Sequence, residues 1–578
     1  MNNYAPNREL RLRLEGWRAH VVMFGLLGLF VVLSGRAVFL QGMKQDFLQQ
    51  KGEARYSRVM ELPANRGMVK DRNGELLAIS TPVESIWASP DDVEASPQQT
   101  EKLARLMGMT RSDVNKKLNT DDKNFVYLKR QIPKEDAAKI MALQIPGIFQ
   151  TREYRRYYPL GAETSHLLGF TGADDNGQEG IELAQQKLLS GKSGSRRVIK
   201  DRKGQIIEDV ETIKAPQPGH DLMLSIDERI QHAAHKELKN AVLRNKAKAG
   251  AIVVLDAKTG EVLALANLPD FNPNNREKLT AAQTRNRVMT DTFEPGSTMK
   301  PFTAAAALET GKFSPGTFIE TGGGTMTIGP ATIHDAHKEG RLTVEQVIQK
   351  SSNVGAAKMA LALPAEYLWN VFNHAGFGTA PKSGFPGEVS GRLRPFKTWR
   401  PIEQATMAYG HGVTVSLLQL ARAYTVFAND GEILPVTLLK TDTSPKGQHV
   451  FSAKTTSAVT KMLEMATQVG GTGIKAQVPG YRVAGKTGTT HKLDDGVYSP
   501  DKFVSSFVGF APASNPRLII AVMIDEPNSG EHFGGLVAAP VFSAVMSDSL
   551  RHMGIPQDAP LPEGPLIPQE HPLIKEEV

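Results

Sequence analysis

The sequence predicts a multidomain, membrane-anchored chain in which a mixed α+β module precedes a larger domain built from one antiparallel sheet flanked by helices. Three observations carry that expectation. An unbroken apolar run lies near the N-terminus. The composition breaks at Pro216-Gln217-Pro218-Gly219. Beyond that break, strand-like runs stand at both ends with helical patterns between them. A length of 578 residues leaves room for two or three folded units at roughly 100–200 residues each.

The apolar run spans Val21 to Leu40, about the 20 residues that a helix needs to cross a bilayer. Its strongly polar residues, Ser34 and Arg36, lie near the downstream end, where an arginine can snorkel to the headgroups. Arg8, Arg11, Arg13 and Arg18 precede it, so the positive-inside rule leaves residues 1–20 in the cytoplasm and the rest outside. No small-residue cleavage site follows, which favours an uncleaved single-pass anchor at 21–40 over a signal peptide.

Residues 41–225 read as an irregular α+β domain. Asn73-Gly74 signals a hairpin, Leu76 to Ala78 a strand, and no nucleophile–base pair stands out. Residues 226–555 form the second domain. A helix is expected over Asp227 to Leu243, and a hairpin over Ala251–Leu255 and Val262–Ala266. Helices are expected over Thr343–Leu361 and Ser416–Ala428, and strands over Arg482–Ala484, Phe503–Phe510 and Leu518–Ile524. Residues 556–578 carry six prolines and read as an extended tail.

The net charge of +7 suits an anionic membrane surface or substrate, and no basic stripe with interleaved aromatics points to nucleic acid. With no cysteine, disulfides, thiolate nucleophiles and cysteine metal sites are excluded. His334 and His337 flank Asp335, but no H-E-x-x-H or third ligand accompanies them, so no metal or other cofactor is expected.

The chemistry concentrates in three short stretches. In Glu294-Pro295-Gly296-Ser297-Thr298-Met299-Lys300, Ser297 starts a helix and Lys300 lies one turn on, on the same face. A serine hydroxyl needs a neighbouring base, and a buried lysine can be one. Ser351-Ser352-Asn353 adds hydroxyls and an amide. Lys486-Thr487-Gly488-Thr489 adds a cation and hydroxyls beside a strand, with a glycine that admits close approach. Each stretch alone is a common helix cap, polar turn or strand end. In the order S-x-x-K, S-x-N, K-T-G they form the set shared by class A β-lactamases and penicillin-binding proteins.

On these motifs the chain resembles the class B penicillin-binding proteins, above all the cell-division transpeptidases of Gram-negative bacteria. Arg66-Gly67 through Ala78, Arg156 with Tyr158-Pro159, Phe385-Pro386-Gly387-Glu388 and Tyr409-Gly410-His411-Gly412 match the same pattern. The resemblance implies an elongated pedestal of the dimerisation type and a serine-transpeptidase fold. It implies that Ser297 attacks the penultimate D-alanine of a stem peptide, with Lys300 as base. Ser351 relays the proton, and Asn353 orients substrate and Lys300. Lys486 and Thr487 hold the substrate carboxylate, Gly488 and Thr489 line the same subsite, and the N–H groups of Ser297 and Thr489 form the oxyanion hole. β-Lactams become inhibitors. The implied partners are a polytopic membrane glycosyltransferase of the shape-elongation-division-sporulation family and other divisome proteins. The implied place is the inner membrane, with the catalytic domain in the periplasm.

Rival readings remain. A β-lactamase needs a water-activating base, for which Glu388 is a candidate. A carboxypeptidase differs only in its acceptor. A scaffold or β-lactam sensor with a decayed site is countered by the intact motifs. His411 reads as structural.

Overall fold

The computed structural model describes residues 16–43, 57–119, 125–200, 206–494 and 496–561. The first part of the predicted cytoplasmic tail and the last part of the proline-rich tail lie outside them. Helix α1 (Gly16–Val38) covers most of the predicted anchor and has no buried residue. It is one helix long and apolar enough to cross a membrane, with a mean hydropathy of 2.2.

The chain divides into two compact units. The first holds β1 (Ser57–Leu62), the end of β2 (Leu76–Ala88), α2 (Pro97–Met107), α3 (Arg111–Leu118), β3 (Val126–Ile132), α4 (Lys134–Met141), the start of β4 (Ile148–Tyr157), β5 (Gly194–Lys200) and β6 (Ile206–Lys214). β1, β5 and β6 form an antiparallel sheet. A separate core gathers Ile86, Leu103, Met107, Leu128 and Ile140. α2 and α3 both start with capping boxes, Ser96 with Gln99 and Thr110 with Asp113, which satisfy N–H groups the helices cannot.

The second unit takes in Ala64–Val83 and Arg152–Gly191 along with everything from Pro218. Both segments precede the predicted boundary at 225 and pack with the larger unit through their charged residues. Glu182, wholly buried, accepts from Arg66 Nε at 2.6 Å and Arg156 Nε at 2.7 Å. Arg72 reaches Glu261 of the larger domain at 3.4 Å. Asp71 accepts the Glu228 N–H at 3.2 Å. These ties hold the Arg66–Ala78 stretch against the catalytic part of its own unit.

The centre of this unit is a five-stranded antiparallel sheet. It is built from β7 (Ala249–Asp256), β8 (Val262–Leu268), β11 (Ala484–Asp494), β12 (Val497–Ala511) and β13 (Leu518–Asp525), in the order β8-β7-β13-β12-β11. A separate two-stranded hairpin, β9 (Thr325–Ile328) and β10 (Ala331–His334), falls between β8 and β11 in the chain. Strand β7 is buried along its whole length, as a sheet covered on both faces requires. Its residues alternate between two cores. Ala251, Val253 and Leu255 join the helices that carry the site. Ile252 and Val254 join α5 (Glu228–Arg244) and the C-terminal helix Ala539–His552. The predicted hairpin and the Asp227-capped helix are both present.

Two expectations change. The helix predicted over Thr343–Leu361 is two helices, Val344–Lys350 and Asn353–Leu361, because Ser351 takes a left-handed conformation at φ 63°. The Lys486-Thr487-Gly488 stretch does not follow a short strand ending at Ala484. It lies inside β11, the edge strand of the sheet.

Candidate active site

Ser297 sits in a single 3-10 turn, Gly296–Met299, which runs directly into α6 (Lys300–Glu309). Thr298 Oγ1 donates to the Pro295 carbonyl at 2.8 Å, and Tyr424 Oη donates to the Thr298 carbonyl at 2.9 Å, so the turn is fixed from both sides. Lys300 is wholly buried. Its Nζ donates to Ser297 Oγ at 2.8 Å, to Ser351 Oγ at 3.0 Å and to the Ser351 carbonyl at 2.5 Å. Ser351 Oγ donates to Ser297 Oγ at 2.9 Å, which closes a triangle of two hydroxyls and one lysine nitrogen.

The helix break at Ser351 makes that triangle. The turn is held by Asp335, from the segment after β10. Asp335 accepts Ser352 Oγ at 2.6 Å and the Val354 N–H at 2.9 Å, capping the helix Asn353–Leu361. The Asn353 amide donates to the His334 carbonyl at 3.1 Å, which ties the second helix to the hairpin. The carboxylate that sequence reading weighed as a metal ligand is a helix cap.

The third stretch arrives on β11. Lys486 is wholly buried, and its Nζ donates to Thr487 Oγ1 at 3.1 Å and Thr472 Oγ1 at 3.4 Å. Thr472 and Thr487 share a hydrogen bond of 2.6 Å between hydroxyls. Thr489 Oγ1 accepts the Gly534 N–H at 2.9 Å. Gly488 lets the strand meet the serine turn: a Cβ there would stand 2.5 Å from Ser506 Oγ and 2.8 Å from the Pro295 carbonyl oxygen. Gly410 does the same for the turn at 409–412, where a Cβ would run into the backbone of Gly296. The three predicted stretches therefore converge.

Sequence reading gave Thr472 and Glu294 no role of their own and weighed Asp335 only beside His334 and His337. Glu294 accepts the Gly412 N–H at 2.8 Å and Tyr498 Oη at 3.0 Å. His411 stacks near Tyr498 at 6.1 Å and meets Tyr409 edge-on at 5.2 Å, while Lys300 Nζ lies 6.0 Å from the Tyr409 ring. Burial and the Lys300 charge push His411 down to about 4, so it is neutral at pH 7. Glu388 accepts the Ser383 N–H at 3.0 Å. His235 is buried and its Nε2 donates to the Asp270 carboxylate at 2.8 Å.

Known proteins share this arrangement over nearly the whole chain. Residues 250–547 match the penicillin binding protein transpeptidase domain, and residues 61–224 match the penicillin-binding protein dimerisation domain. The chain belongs to the penicillin-binding protein transpeptidase family. It is 42% identical over 94% of both chains to "Probable peptidoglycan D,D-transpeptidase PenA" of Neisseria gonorrhoeae. It is 40% identical to "Peptidoglycan D,D-transpeptidase FtsI" of Escherichia coli, over 96% of this chain and 95% of that protein. The transpeptidase domain of penicillin-binding protein 3 from Burkholderia pseudomallei superposes with a TM-score of 0.54 at 50% identity, covering 58% of this chain and 98% of that structure. A penicillin-binding protein of this class is a peptidoglycan D,D-transpeptidase.

Proposed function

We propose that this chain cross-links peptidoglycan stem peptides through an acyl-enzyme on Ser297, in the septal wall. The observation that carries this reading is the Ser297–Lys300–Ser351 triangle set against the Lys486–Thr489 strand. Lys300, acting as the neutral amine with its Nζ 2.8 Å from Ser297 Oγ, takes the hydroxyl proton and becomes an ammonium as Oγ attacks the penultimate D-alanine carbonyl. Ser351 Oγ, touching both partners, passes a proton to the departing amine of the terminal D-alanine. The N–H groups of Ser297 and Thr489 receive the oxyanion, and such a donor contributes about 100- to 1000-fold in rate. Lys486, Thr487 and Thr472 bind the terminal carboxylate, and Gly488 keeps the strand close. Asn353 orients the substrate amide. An amine from a neighbouring stem peptide then attacks the ester, restores the Ser297 hydroxyl and leaves a new peptide bond. A β-lactam enters the same first step and stays on Ser297.

A donor pentapeptide incubated with the chain and a D-amino acid tests this reading. Exchange of the terminal residue is the expected product. Hydrolysis without exchange would make the enzyme a carboxypeptidase.

The cationic segment before α1 leaves residues 1–20 in the cytoplasm and the two units in the periplasm. A membrane glycosyltransferase of the shape-elongation-division-sporulation family and divisome proteins are the partners, met through the anchor and the first unit. Replacing residues 16–43 by an unrelated membrane helix should weaken co-purification. Unchanged recovery would exclude the anchor as a contact.

A further inference from the structure

We propose that Glu294 selects donor peptides whose residue immediately before D-Ala-D-Ala carries a primary ammonium. The inference rests on the reaction proposed above. The proposed carboxylate subsite lies at Lys486 and Thr487, and the acyl carbon lies between Ser297 and Thr489. That order fixes a direction along the edge strand. Peptide upstream of the scissile bond continues past Thr489 toward Thr490 and His491, at about 3.3 Å per residue.

Glu294 stands at that end. Its main-chain carbonyl accepts Thr490 Oγ1 at 3.4 Å. Its carboxylate accepts Tyr498 Oη at 3.0 Å to both oxygens and the Gly412 N–H at 2.8 Å. Tyr498 faces Leu493 across the hairpin that ends the strand. Leu493 and Tyr498 are exposed, so this end of the strand is open to a ligand.

The charge at this end is incompletely matched. Among the described residues, no lysine or arginine forms a salt bridge with Glu294. Its carboxyl is held above the usual range by burial, which the two hydrogen bonds only partly offset. His411, beside Tyr498, is pushed down to about 4 and brings no positive charge at neutral pH. Lys492, on the same strand, is committed to Asp525 and Glu526 at 2.7 and 2.8 Å. A half-buried carboxylate with dipolar partners and no cation is a receptor for one. Tyr498 and the Gly412 N–H hold it in place without neutralising it.

The test uses the full-length chain in detergent and two synthetic donors, acyl-Lys-D-Ala-D-Ala and its Nε-acetyl form, with release of D-alanine as the readout. Wild type should favour the free amine by about five- to tenfold in kcat/KM. Glu294→Gln should bring that ratio close to one, and Tyr498→Phe should keep it. Fluorescent penicillin labelling of each variant reports separately on the serine site. If labelled protein turns over neither donor, the transpeptidase reading fails. If it turns over both donors equally in wild type, only the Glu294 assignment fails. A preference that survives Glu294→Gln, or that Tyr498→Phe abolishes to the same extent, also overturns the assignment.

Discussion

Ser351 adopts a left-handed backbone, φ 63°, and from that position donates its hydroxyl to Ser297 at 2.9 Å. A non-glycine residue held there costs about 1–3 kcal/mol, and such strain concentrates at functional sites. Here it ends one helix and starts the next, so that both the side chain and the carbonyl of Ser351 point at Lys300. Ser351→Ala keeps the turn and removes the hydroxyl. It should lower the rate of acylation by penicillin by about 100- to 10,000-fold, the usual range for a positioned proton-transfer group. Stopped-flow acylation checks this. A loss under threefold would remove Ser351 from the relay.

Gly488→Ala should slow acylation at least tenfold and cost about 1–3 kcal/mol of stability, because the added methyl meets Ser506 and the Pro295 carbonyl. Thermal melting and penicillin labelling read the two effects.

Glu182 holds two arginines, Arg66 and Arg156, all three buried. Glu182→Ala leaves both guanidinium groups without their carboxylate. It should destabilise the second unit by about 3–5 kcal/mol, measured by chemical denaturation. Glu211→Ala, which removes an exposed pair with Arg197, should cost under about 1 kcal/mol.

Acid should destabilise the chain through two buried histidines. His411 and His166 are both pushed down to about 4, mainly by burial, against an unfolded value near 6.5. The unfolded chain binds protons first, so the stability of the neutral rings is complete above about pH 6.5 and falls as pH drops toward 4. His411→Gln should flatten part of that slope, and His166→Gln another part. Denaturation midpoints at pH 7 and 4.5 check the sign.

How much of this was legible beforehand follows the range of each interaction. Ser297 and Lys300 are three residues apart, so helix periodicity alone brings them together. The burial of β7 showed in its unbroken apolar run, and the anchor showed in its length. The break at Ser351 was hidden, since the pattern from Thr343 to Leu361 stays helical across it and the cap that stabilises the turn comes from Asp335. Thr472 joins Thr487 through a loop 15 residues away, with no motif to flag it. Glu294 looked like part of the serine motif. Its partners Gly412 and Tyr498 are more than 100 residues distant and meet it only in the folded chain. The segments around Arg66 and Arg156 lie 90 residues apart in sequence, and their shared partner Glu182 joins them only in the folded chain.

Covalent labelling of Ser297 is the most direct measurement. Wild type and Ser297→Ala, each shown folded by thermal melting, are incubated with fluorescent penicillin, denatured and resolved on a gel. The account predicts a labelled band that maps by mass spectrometry to the peptide containing Ser297, and no band from the variant. Equal labelling of the two proteins would contradict it.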